Sequence, residues 1–150
     1  MNRPVRIFTL FVVGSALGSC AGDPNPTGPG DDGGDPQMTR IIKADPSFAV
    51  DVQEIFVRTR CADATCHRIG QAGLTLLPNA AQNYANIVNV TADRERQFLL
   101  IKPFDAENSY IMIRLQDRQE VGVSMPPGVT LDSIDMTNLT NWINNGALNN

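Results

Sequence analysis

Ala21 to Gln37 reads AGDPNPTGPGDDGGDPQ, almost wholly glycine, proline and aspartate. Such a stretch cannot bury enough apolar surface to offset the entropy of ordering it. It reads as a tether, so compact structure has to come from the chain beyond it. Met38 to Asp45 is a transition, and folding is expected to begin near Pro46. In a chain of 150 residues, what remains is about one domain's worth, large enough for a real core. No internal repeat is visible. The net charge of −4 argues against nucleic acid as a partner, and against attraction to acidic headgroups. With aromatics at 6%, no platform for stacking bases is available. His67 is the single histidine, which excludes a metal site or catalytic triad needing two. Three cysteines, Cys20, Cys61 and Cys66, are too few for a disulfide framework.

Hydrophobic periodicity predicts an all-α domain with long loops. Ser47 to Arg60 places Phe48, Val52, Ile55 and Phe56 on one helical face, with Ser47 as cap after Pro46. A second helix is expected over Asn79 to Val88, burying Ala81, Tyr84, Ile87 and Val88. A third is expected from Asp105, carrying Tyr110, Ile111 and Leu115. The fourth has the fullest set of signals. Asp132 is an N-cap with Asp135 three residues on, Leu131 and Met136 form a hydrophobic staple, and Gly146 marks the stop. Its buried face is Leu139, Trp142 and Ile143. Phe98 to Ile101 (FLLI) fits a short strand or an extended segment, and periodicity does not decide between them.

Ahead of the tether lies an address. Arg3 and Arg6 precede the apolar run Ile7 to Leu17, IFTLFVVGSAL, a signal-peptide core too short to span a bilayer. Leu17-Gly18-Ser19-Cys20 follows and resembles the lipobox of bacterial lipoproteins. That resemblance implies cleavage before Cys20 and lipidation of Cys20; ordinary cleavage at a small-residue site is the alternative. Several acyl chains on one residue anchor stably, whereas one binds only marginally. Ala21 stands where an inner-membrane retention signal would place Asp, which favours the outer membrane. Losing residues 1–19 leaves 10 basic and 16 acidic residues. The expected organisation is a signal peptide over 1–19, a lipidated Cys20 with its tether over 20–45, and a domain over 46–150.

The chemistry sits at the end of the first helix, in Cys61-Ala62-Asp63-Ala64-Thr65-Cys66-His67. Two thiols with a histidine directly after the second are what covalent haem attachment needs. The thiols add across the two vinyl groups, and the histidine falls beneath the iron as its ligand. The usual spacing is C-x-x-C-H; here four residues intervene, as in some c-type cytochromes. Three other readings use the same residues. A Cys61–Cys66 disulfide would suit an oxidising compartment, a zinc site lacks a further Cys/His pair, and a thioredoxin-like pair would need two intervening residues and a βαβ context.

Later segments add to the haem reading. Ala72-Gly73-Leu74-Thr75-Leu76, Lys102 to Tyr110 (KPFDAENSY), Ser124-Met125-Pro126-Pro127-Gly128 and Asn141 to Ala147 (NWINNGA) follow in that order. Together they resemble the A-G-G-L-x-L, P-G-D-P-E-x-S-Y/L, M-P-P and W-I-x-x-G-A segments of small single-haem, planctomycete-type cytochrome c domains. The resemblance covers about residues 47–148 and departs from the family in its Cys spacing and in Phe104, where glycine is usual. It implies cytochrome c-like helices around one covalent haem c, electron exchange with a redox partner protein, and no enzymatic turnover. With one histidine, the second axial ligand cannot be another histidine of this chain, and a methionine thioether is the natural alternative. Met112 reads as helical core filler and Met136 belongs to the staple. Met125 sits before Pro126 and Pro127, whose rigidity helps hold a ligand through redox change. His67 and Met125 are therefore the expected iron ligands. A haem-free interaction domain and a haem sensor or peroxidase with a labile distal ligand remain the alternatives.

Overall fold

The computed structural model describes residues 40–150, so the expected signal peptide, Cys20 and most of the tether lie outside the described residues. Among those residues the fold is helical, without strands. A π-helical turn Phe48–Val52 runs into α1 (Gln53–Arg58); α2 is Ala80–Ile87, α3 Tyr110–Leu115 and α4 Ser133–Asn144. Long loops and one short 3-10 turn, Gln71–Gly73, join them. No helix of the described residues is long and apolar enough to cross a membrane.

The first helix opens as the apolar spacing and Ser47 predict. Ser47 Oγ accepts from the Val50 N–H, and the Asp51 carboxylate accepts from the Ser47 N–H at 2.8 Å. That reciprocal cap is one residue longer than usual because the Val52 N–H reaches back five residues to the Ser47 carbonyl. Phe48, Val52, Ile55 and Phe56 are all buried. Phe48 stacks on Trp142 of α4 at 5.2 Å and meets Tyr84 of α2 edge-on at 5.3 Å. Three helices are thereby joined by aromatic contacts.

Two expectations for the helices change. In α2 Asn83 faces inward together with the expected Ile87, while Ala81 is exposed. Asn83 bonds both the N–H and the carbonyl of Leu77 and the side chain of Gln53, so a fully satisfied amide replaces an apolar contact. The third helix begins at Tyr110, not Asp105. Asp105 instead closes a turn by accepting from the Asn108 N–H at 3.1 Å. Ser109 Oγ accepts from the Lys102 N–H and donates to the Asp105 carbonyl. The first N–H groups of α3, at Tyr110 and Ile111, go to the carbonyls of Leu99 and Leu100. The FLLI segment is thus extended but forms only isolated bridges, to Val88, Thr91 and Ser109.

α4 is capped by Asp132, whose carboxylate accepts from the Asp135 N–H. It closes with the Gly146 N–H on the Ile143 carbonyl and the Ala147 N–H on the Trp142 carbonyl, a Schellman closure. Leu139, Trp142 and Ile143 are buried as expected. The Asp135 side chain does not complete a capping box; it is held by Arg58 at 2.7 Å and by Arg40 at 3.1 Å. Folding also starts earlier than Pro46. Residues 40–45 lie along α4, where Asn138, Asn141 and Asn145 donate in turn to the carbonyls of Ile41, Lys43 and Ala44, and Asn138 also accepts from the Lys43 N–H. Phe104, where the resembled family has glycine, adopts φ +66°, a left-handed conformation costly for a bulky residue. Its N–H is held by the Ile143 carbonyl at 2.8 Å.

Candidate functional site

α1 ends without a glycine. Arg60 takes the left-handed turn at φ +65°, and its guanidinium pairs with Asp63 at 2.7 Å. The chain then folds back on itself, with the His67 N–H on the Cys61 carbonyl and both Cys66 and Arg68 N–H groups on the Asp63 carbonyl. The four residues between the cysteines thus form a closed loop that returns His67 beside Cys61. Both thiols are free. Burial pushes the Cys61 thiol up from its ordinary range, against a weaker opposing effect of the Thr59 hydroxyl 3.3 Å away.

His67 Nδ1 lies 3.1 Å from the carbonyl oxygen of Gln71. A carbonyl can only accept, so Nδ1 carries the proton in neutral His67 and Nε2 keeps its lone pair for a ligand. The Gln71–Gly73 turn that supplies this carbonyl depends on Gly73, with φ +75° and no room for a side chain. A Cβ there would lie 2.6 Å from Cβ of Asp93. Gly73→Ala is expected to cost about 2–3 kcal/mol, because Asp93 Cβ can retreat only by backbone movement. Thermal unfolding checks it, and Gly70→Ala is the less crowded comparison, its nearest neighbour being Thr75 Oγ1 at 3.4 Å.

Cys61 and His67 both line one cavity. Ile55 and Phe56 of α1, Ile111 and Leu115 of α3, and Leu131 and Leu139 give it apolar walls. Met125 lines the same cavity, its N–H fixed to the Arg114 carbonyl at 2.9 Å. Neither Met112, buried within α3, nor Met136, packed against the core, is on the lining. Cys66 is not on it either; its sulfur has the Thr65 hydroxyl at 3.9 Å. The structure therefore brings together three of the four residues expected to bind the cofactor.

Among the described residues no group of three or more His, Cys, Asp or Glu side chains could hold a bare metal ion. The soft and nitrogen donors present are one imidazole nitrogen, one thioether and a thiol, with the Asp93 carboxylate and the Tyr110 hydroxyl elsewhere on a mainly apolar lining. That set fits a flat, largely apolar iron macrocycle better than a hydrated ion. Sequence reasoning missed the polar residues of the wall, Asp93, Arg94, Tyr110 and Arg114, and Glu95 behind them on the Tyr110 hydroxyl. Arg114 had a signal, being one turn from Tyr110 on the stripe that carries Ile111 and Leu115. Glu95, in the polar run Asp93 to Gln97, had none. No family model matches this chain, and no curated protein or solved structure matches it.

Proposed function

We propose that this chain is a lipid-anchored, single-haem c-type cytochrome that carries electrons outside the cytoplasm. The observation that carries the reading is the convergence of Cys61, His67 and Met125 on one apolar cavity. Haem, when bound, supplies the one-electron iron couple. The chain's own residues do the rest. His67 offers Nε2 because Gln71 holds its other nitrogen. Met125 offers a neutral sulfur that favours the ferrous state. Cys61 and Cys66 would hold the group covalently, each through one thioether. The apolar walls would limit water at the iron, which raises its potential. The electron comes from and leaves to a redox partner protein; no residue is assigned to substrate turnover.

Extraction with acidified organic solvent tests the covalent link. Haem is expected to stay with the polypeptide, and the mass to equal the polypeptide plus one haem. Freely extracted or absent haem, with a chain two hydrogens lighter than the reduced polypeptide, would establish the disulfide-stapled interaction domain instead. Five-coordinate haem in the absorption spectrum would mark a sensor or peroxidase. For the anchor, the lipobox-like Leu17 to Cys20 is the support. Cys20→Ser is expected to abolish acyl mass and to leave the protein soluble or its precursor unprocessed. A wild-type protein without acyl mass would remove the anchor and leave the cytochrome.

A further inference from the structure

Arg114 lies on the inward face of α3, only 9% exposed, and lines the cavity. An arginine buried to this degree is ordinarily matched by a carboxylate, because an unpaired charge away from water is costly. Arg114 has none within ion-pairing distance among the described residues. Its one side-chain hydrogen bond runs from Nη1 to the Val121 carbonyl at 2.7 Å, and its Cζ stands 5.9 Å from the centre of the Tyr110 ring. Glu95, 4% exposed, is the buried acid of this region. It accepts instead from the Tyr110 hydroxyl at 3.0 Å and the Val121 N–H at 3.3 Å. The Val121 backbone, through its N–H and its carbonyl, thus stands between acid and base, and most of the guanidinium's N–H donors make no hydrogen bond among the described residues. Gly122 completes the seat: a Cβ there would lie 2.9 Å from Nη1.

We infer that Arg114 receives a carboxylate of the molecule that fills the cavity. The inference rests on the cytochrome reading and deepens it: the acidic groups of haem are its two propionates, and Arg114 fixes which edge of the ring lies against α3. A guanidinium suits this task because its planar donors match a carboxylate in pairs, and the surrounding apolar wall strengthens the contact. Arg94, exposed but on the same lining and in no ion pair, supplies a second cation for the other propionate.

Arg114 also holds the 121–125 loop, through the Val121 carbonyl and through its own carbonyl on the Met125 N–H. A test must therefore separate carboxylate recognition from loop support. The full chain, isolated before thioethers form, is titrated with iron protoporphyrin IX and with its dimethyl ester. Both present the same ring and iron to His67 and Met125, and only the diacid presents carboxylates. The wild type is expected to bind the diacid about tenfold more tightly or better. Arg114→Gln is expected to bring the two affinities within about twofold of each other, whereas Arg114→Lys keeps part of the preference. Equal affinities in the wild type, a comparison that needs no variant, overturn the inference and leave the cytochrome reading standing. Full preference retained in Arg114→Gln overturns it too. Binding of neither porphyrin overturns the cytochrome reading, and the inference with it.

Discussion

Met125→Ala is expected to erase the weak near-infrared charge-transfer band of thioether sulfur on ferric haem. It should also open the sixth position to carbon monoxide or cyanide. The reduction potential should fall by on the order of 0.1 V, a fraction of the range that axial ligands span. The direction follows from the ligand: a neutral thioether favours ferrous iron, and its loss leaves water or an empty position. Met112→Leu and Met136→Leu are the controls. Both keep side-chain volume at positions off the cavity lining, so each should cost less than about 1.5 kcal/mol with the spectrum unchanged. If Met136→Leu removed the band and Met125→Ala did not, the assignment of Met125 would fail. The cytochrome reading would still stand on Cys61, Cys66 and His67.

Trp142→Ala should be the most destabilising single truncation in the core, at about 3–5 kcal/mol. The side chain is 1% exposed, stacks on Phe48 and donates its Nε1–H to the Leu148 carbonyl at 2.9 Å. A loss of that size is a large share of the roughly 5–15 kcal/mol by which small domains are stable. Trp142→Phe keeps a ring against Phe48 but leaves the Leu148 carbonyl without its donor, at a cost of about 1–3 kcal/mol. Denaturant unfolding of both variants checks the order. A Trp142→Ala midpoint equal to that of the wild type would mean that Phe48 and Tyr84 hold the helices together without it.

These two residues mark how far the sequence could be read. Trp142 belongs to a pattern whose signals are local: Asp132 caps α4 three residues before Asp135, and the apolar spacing points Leu139, Trp142 and Ile143 inward. Ser47 and Asn79 act as caps for the same reason, each bonding an N–H two or three residues away. α3 escaped that logic. Its first N–H groups are satisfied by Leu99 and Leu100, a pairing across the loop that leaves no local signal, so the spacing alone sets the start at Asp105. The early start of the fold was hidden likewise, because the partners of residues 40–45 lie some 90 or more residues onward, in α4. At the site, spacing and elimination singled out Cys61, His67 and Met125, which the fold brings to one cavity. Cys66, read as their equal, is off the lining, and Arg114 and Glu95 emerged only once loops distant in sequence came together.

The grip of Asn138, Asn141 and Asn145 on residues 41–44 has a mechanical consequence. The segment runs in the same direction as α4, and every contact except the Lys43 N–H is an amide bonded to a backbone carbonyl. A pull on the chain ahead of Arg40 loads these bonds in shear, so they share the force and do not open one after another. The Arg40 pairs with Asp132 and Asp135 meet it first. Force arriving from that side therefore passes first into the longest helix of the described residues. Were the chain anchored through its tether, as proposed above, this arrangement would serve as a strain relief, much as a cable is clamped before it reaches its terminals.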